Sequence, residues 1–205
     1  MFALVESGSI TRMLNGNRGI TVDGVQHPRT IFTLWTEAER NAIGIYPVEI
    51  DESKKKDEKW YINTNITYAF DGSKVTGSYG DATARAHADS LYTDQDKTDD
   101  LIPDDKDVGD VKAEGLKTRL IRDIKKQAES ELNRTDWYVI RKTEEDIAIP
   151  STITTHRKAV RSKQTEMETA ITNASDTPAL ETLYTYTRQE DGSFTRPLGV
   201  IPTLE

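Results

Sequence analysis

The chain has 205 residues, of which 35% are hydrophobic, and it carries a formal net charge of −8 with a pI near 5.0. With no cysteine there is no disulfide framework, no thiolate metal site and no cysteine nucleophile, and the acidic balance disfavours non-specific nucleic-acid binding, which needs Lys and Arg to displace phosphate counterions. No run of about 18 apolar residues could span a bilayer, and Met1–Gly8 reaches a carboxylate and a turn too early for a signal peptide, so a cytoplasmic protein of two modest modules is expected.

The fold class expected is α+β. In chain order, Phe2 to Val5 and Ser9 to Arg12 flank Ser7-Gly8, while Ile20-Thr21-Val22 and Val25-Gln26-His27 flank Asp23-Gly24, a strong hairpin signal because both turn positions need positive φ. Thr30 to Trp35 continues the apolar content. Thr36 and Glu39 then form a capping box for a short helix from about Glu37 to Ile43, which Gly44 should end and Pro47 should keep from restarting. Trp60, Ile62, Ile66, Tyr68 and Phe70 fall two apart around Asn63-Thr64-Asn65, and Lys74-Val75-Thr76 sits between turn signals. These pieces make a β-rich N-terminal module of residues 1–80.

Residues 81–110 read as a short helix from Asp81 to Leu91 followed by an acidic linker from Thr93 to Asp110. From Val111 to Asn133, Leu116, Leu120, Ile124, Ala128 and Leu132 recur in steps of four, which predicts a long amphipathic helix. A second long helix from about Ser151 to Ala174 carries Ile153, Val160, Met167 and Ile171 at near-heptad steps. A third, short helix is signalled by Thr177 or Asp176 as cap and Pro178 in the first turn, with Leu180, Leu183 and Tyr184. The expected C-terminal module is therefore an antiparallel helical hairpin plus the short helix over 111–185, followed by an extended tail over 186–205.

Between the two long helices lies the most informative run, Thr135-Asp136-Trp137-Tyr138-Val139-Ile140-Arg141-Lys142. A connector this apolar is expected to pack, with Trp137 buried between the helices and Trp137→Ala costing about 3 kcal/mol or more. The candidate hub, for packing or for partner binding, is Trp137, Tyr138 and Ile140 together with Ile153, Val160 and Met167.

No catalytic, cofactor or metal site is expected. The Asp-rich loop puts Gly109 at the sixth position of a calcium-loop register counted from Asp104, but Lys106, Val108 and Gly115 stand where oxygen ligands belong. His27, His87 and His156 have no metal-ligand spacing. Asp136 and His156 could be imagined in a triad with some Ser, yet no nucleophile elbow is present, and Asp136 or Thr135 reads better as a cap before Trp137. Arg141, Lys142, Arg157, Lys158, Arg161 and Lys163 read as a solvated basic face paired with Glu144, Glu145 and Asp146.

The Thr135–Lys142 run, Ile149-Pro150, His156-Arg157-Lys158-Ala159-Val160-Arg161 and Ala179-Leu180-Glu181-Thr182-Leu183-Tyr184 together resemble the C-terminal helical region of bacteriophage tail-fibre assembly proteins and related small tail-associated proteins. The resemblance covers about residues 111–185, with weaker similarity at Met1–Leu4 and Val25–Ile45. His156-Arg157 stands where the pattern more often has Tyr-Arg. The resemblance implies a non-enzymatic role: an assembly chaperone or adaptor binding a phage tail fibre or baseplate protein in the host cytoplasm, or a permanent subunit of the virion tail. The charge and the lack of a long apolar run lead us to expect no nucleic-acid or membrane partner, and a homo-oligomer stays open. A third reading, an enzyme acting on host surface polysaccharide, would require paired carboxylates in a cleft.

Overall fold

The structure is a computed structural model that describes residues 1–204. It is α+β, a curled five-stranded sheet at the N-terminus followed by helices, and the chain divides into two compact units after Thr83.

The N-terminal unit contains β1 (Phe2–Glu6), β2 (Ser9–Leu14), β3 (Ile20–Val22), β4 (Val25–His27), α1 (Ile31–Leu34), α2 (Glu37–Asn41), β5 (Ile45–Asp51), β6 (Tyr61–Ile62), β7 (Thr67–Phe70) and β8 (Val75–Ser78). Its sheet has the order β2-β1-β5-β8-β7, antiparallel except for the parallel β5/β8 pair. Side chains alternate along β1. Leu4 joins Ile20, Val22, Ile31, Phe32 and Ile45 in one apolar cluster, whereas Ala3 and Val5 join Val75 in a second.

Both early turns form with positive φ, at Ser7-Gly8 and Asp23-Gly24, and β3 and β4 pair antiparallel across the latter. The Thr36/Glu39 capping box is present in both directions, and Gly44 has φ +79°. Thr30–Trp35 differs from a simple apolar continuation. It forms the one-turn helix α1, in which Ile31 and Phe32 are buried.

Strand β9 (Thr83–Ala84) falls at the division. The second unit then holds β10 (Ser90–Leu91), α3 (Asp94–Thr98), β11 (Val111–Ala113), α4 (Leu116–Asn133), α5 (Asp136–Glu145), α6 (Ser151–Asn173), α7 (Thr177–Tyr184), β12 (Thr187–Arg188) and β13 (Phe194–Thr195). The helix expected from Asp81 to Leu91 does not form. The carbonyls of Ala86 and His87 instead accept from the N–H groups of Leu116 and Lys117, and Asp89 accepts from Gly115 N–H at 2.6 Å and Thr118 Oγ1 at 2.7 Å. The segment is thus spent on the first N–H groups of α4, which have no partner within the helix. A Cβ on Gly115 would lie 2.3 Å from the Ala88 carbonyl, so only glycine allows this approach.

The acidic linker is also more structured than its charge suggests. Thr93 and Asp96 form a capping box that starts α3, and Lys112 bonds to Asp96. The long helix begins at Leu116 rather than Val111, because Val111–Ala113 is pulled into antiparallel pairing with Ser90–Leu91.

Helices α4 and α6 pack antiparallel, as the cross-links between them require: Lys117 Nζ donates to the Thr172 carbonyl at one end, and Arg157 Nη1 to the Leu132 carbonyl at the other. Leu116, Leu120, Ile124 and Ala128 of α4, and Ile153, Val160, Met167 and Ile171 of α6, are buried. Asp176 caps α7 through the Ala179 N–H, with Pro178 in the first turn. After the small β12/β13 ribbon the chain turns at Arg196–Gly199, where the Gly199 N–H donates to the Arg196 carbonyl, and Leu198 and Ile201 are buried, so the tail expected to be extended over 186–205 includes a ribbon and a turn.

Candidate functional site

The Thr135–Lys142 run forms a helix, α5, which corrects its reading as a packed connector. Its ten residues include none that is buried. Trp137 is 49% exposed, Ile140 55% and Val139 39%, and Ile147 beyond the helix is exposed as well. Trp137 does not sit between the long helices. Four successive apolar residues span more than one helix face, and the hairpin is already closed by the stripes of α4 and α6.

The exposed side chains are nonetheless ordered by one another. The Trp137 and Tyr138 rings stack with centroids 3.8 Å apart. The Arg141 guanidinium lies 4.7 Å from the Trp137 centroid and 5.4 Å from that of Tyr138. Positions three and four apart are neighbours on a helix, so Arg141 reaches both rings and attracts their faces by cation–π interaction. Lys142 pairs with Asp146, whose left-handed φ of 54° ends the helix.

Arg157 fixes the base of α5. Its Nη1 donates to the Leu132 carbonyl at 2.8 Å and to Thr135 Oγ1 at 2.7 Å, and it lies 2.8 Å from Asp136 Oδ1. It thereby adds a charged donor to a carbonyl in the last turn of α4 that already accepts from the Arg134 and Thr135 N–H groups. Thr135 is fully buried and occupies the N-cap position without capping by its side chain; the hydroxyl donates back to the Leu132 carbonyl. The cap expected from Thr135 or Asp136 is therefore replaced by a guanidinium junction between α4, α5 and α6.

Beside it lies a second polar centre. The buried Glu131 accepts from the Leu204 N–H at 2.8 Å and from Arg134 Nη1 at 2.9 and 3.0 Å, and His156 Nε2 lies 3.1 Å from it. The Leu204 amide is the main reason that the Glu131 carboxyl is held below its ordinary value.

Of the six hub residues, Ile153, Val160 and Met167 pack inside the hairpin, whereas Trp137 and Ile140 are exposed and Tyr138 is half-buried on α5. They do not form one cluster. The basic face is likewise divided. Arg157 points inward, Arg141 stacks on aromatic rings and Lys163 pairs with Glu166. Asp136 and His156 face Arg157 and Glu131 respectively, so no triad is assembled. His27 stacks edge-on against Trp35.

Among the described residues no group of three or more His, Asp or Glu is arranged to hold a metal ion, and no helix is long and apolar enough to cross a membrane. A cleft of about 370 Å³ in the N-terminal unit is lined by Arg12, Asn15, Asn17, Arg18 and Phe32 among others, and its lining includes no carboxylate or imidazole. Sequence reasoning missed Glu131 and Arg157 as centres. The only signal was their register, since each lies on the apolar side of its helix where a charge must find partners. In comparison with known proteins, the chain matches no family model, no curated protein and no solved structure.

Proposed function

We propose that the protein is a non-enzymatic bacteriophage tail-associated adaptor, of the tail-fibre assembly chaperone kind, that presents α5 to a fibre or baseplate protein. The observation that supports this reading best is a ten-residue helix without one buried residue that displays Trp137 and Ile140 and is bolted at its base by Arg157. A helix this short is marginal alone. Trp and Arg are the side chains most enriched where binding energy concentrates, and the Trp137–Tyr138–Arg141 stack pre-orders such an anchor. The assignment to phage tails rests on the resemblance of the run that makes α5.

The test is quantitative mass spectrometry on infected cells, comparing assembly intermediates with mature particles. An adaptor or chaperone is expected with fibre or baseplate intermediates and depleted from finished particles. Stoichiometric recovery in mature particles would instead favour a permanent tail subunit, and absence from both would refute the reading. W137A/I140A chains should lose the association with the intermediates while keeping the helical signal.

A further inference from the structure

The segment after α7 is held on the hairpin in a way that does not depend on how it is attached. The Leu198 N–H donates to the Leu183 carbonyl of α7 at 3.0 Å, Leu198 and Ile201 are buried, and the Leu204 N–H donates to Glu131 of α4. Gly199, at φ +69°, lies against Lys163 of α6, where a Cβ would be 2.7 Å from Nζ. The seat thus reads two apolar side chains three residues apart, a close backbone approach between them and a main-chain N–H three residues further on. Beside it a cleft of about 410 Å³, lined by Lys126, Ser130, Ile201 and Thr203 among others, remains open.

The link to this seat is weak. Strands β12 and β13 pair Thr187 with Thr195 and Arg188 with Phe194, all four exposed, and beyond them Gln189 N–H donates to the Ser193 carbonyl and Gln189 Nε2 to Thr195 Oγ1, bonds that are likewise open to water. An isolated two-stranded ribbon is marginal in water. While it is closed, residues 187 and 195 lie side by side. Opened, the eight steps between them span about 27 Å at ~3.4 Å each.

We propose that the seat formed by Glu131, Lys163 and Leu183 is an exchange site, which accepts the Arg196–Leu204 segment of a second copy of this chain when the β12/β13 ribbon opens. The occupant is a second copy because the seat is already filled by this sequence. An identical segment makes the contacts with the seat again, and what is given up is the exposed ribbon: its two strand pairs, the Gln189–Ser193 and Gly192–Gln189 main-chain bonds of its turn, and the Gln189 Nε2 to Thr195 Oγ1 bond. Within one chain the attached segment competes at a high effective concentration, so exchange rises with protein concentration. It also rises with salt, which screens the repulsion between two chains of charge −8. This inference concerns a surface other than α5 and does not depend on the function proposed above.

The chain contains no cysteine, so introduced thiols report without background. Ser130 and Thr203 are both exposed and line the same cleft. Full-length S130C and isotopically heavy T203C chains are mixed at high concentration and salt and treated with a short bismaleimide, and the S130C/T203C double variant is treated alone when dilute. The proposal expects a light–heavy cross-link between positions 130 and 203 in the mixture, its loss on dilution, and an intramolecular cross-link in the double variant. An oxidised T187C/T195C pair, which locks the ribbon, should abolish the dimer seen by light scattering. A double variant that cross-links within one chain, alongside a mixture that never cross-links between chains, overturns exchange. A double variant that fails to cross-link at all overturns the seat.

Discussion

Helices α5 and α6 are neighbours in sequence, yet they have opposite fates. In α6 the apolar residues are sparse but periodic, and Ile153, Val160, Met167 and Ile171 are all buried. In α5 they are dense but consecutive, and none is buried. Periodicity decides burial, because one helix can offer only one face to its neighbour. Density without periodicity leaves apolar surface over.

That contrast can be broken most directly at Met167, which is fully buried. Met167→Ala should cost about 2–5 kcal/mol in chemical denaturation. Arg157→Met should come next, at about 2–3 kcal/mol, since it strips a donor from both the Leu132 carbonyl and buried Thr135 and leaves Asp136 without its cation. In that variant α5 should exchange its amide hydrogens faster than α6. Glu131→Gln keeps an acceptor for Leu204 but loses the charge facing Arg134, so about 1 kcal/mol is expected, read as faster amide exchange at Leu204.

Acid sharpens the comparison in the Thr93–Ala113 region. The bond from Lys112, followed by the Thr93 amide and hydroxyl, pushes the Asp96 carboxyl down to about 2. A carboxyl whose folded value is depressed stabilises the fold fully above its ordinary value near 3.8, and that contribution is lost as pH falls toward 2. Amide protection over residues 93–112 should therefore drop between about pH 4 and pH 2. The smallest stability effect should come from Trp137→Ala. At 49% exposure it should cost no more than about 1 kcal/mol, against the 3 kcal/mol or more expected of a packed hub. A loss as large as that of Met167→Ala would mean that α5 packs after all.

Legibility followed the range of the interaction that decides each element. The α4 and α6 stripes, the Thr36/Glu39 box, the Asp23-Gly24 turn and the Asp176/Pro178 start are local patterns, and the structure contains each of them. The Thr93/Asp96 box was equally local, but the surrounding run of aspartates masked it. What could not be read was set at a distance. Asp89 reaches Gly115 and Thr118, Arg157 reaches Thr135, and Glu131 reaches Leu204, across separations of 22 to 73 residues. Of the candidate site, the residues of the run were legible and their exposure was not, because exposure depends on what the rest of the fold has already covered.

The guanidinium junction at Arg157 has a mechanical consequence. Helix α5 continues covalently into α6 through residues 146–150, but Arg157 also ties its first turn directly to the body of α6. A pull on α5 along its axis is then carried by side chain as well as by main chain, and the junction and the 146–150 link share the load at opposite ends of the helix. A partner gripping Trp137 would therefore pull against two attachments to α6 rather than one.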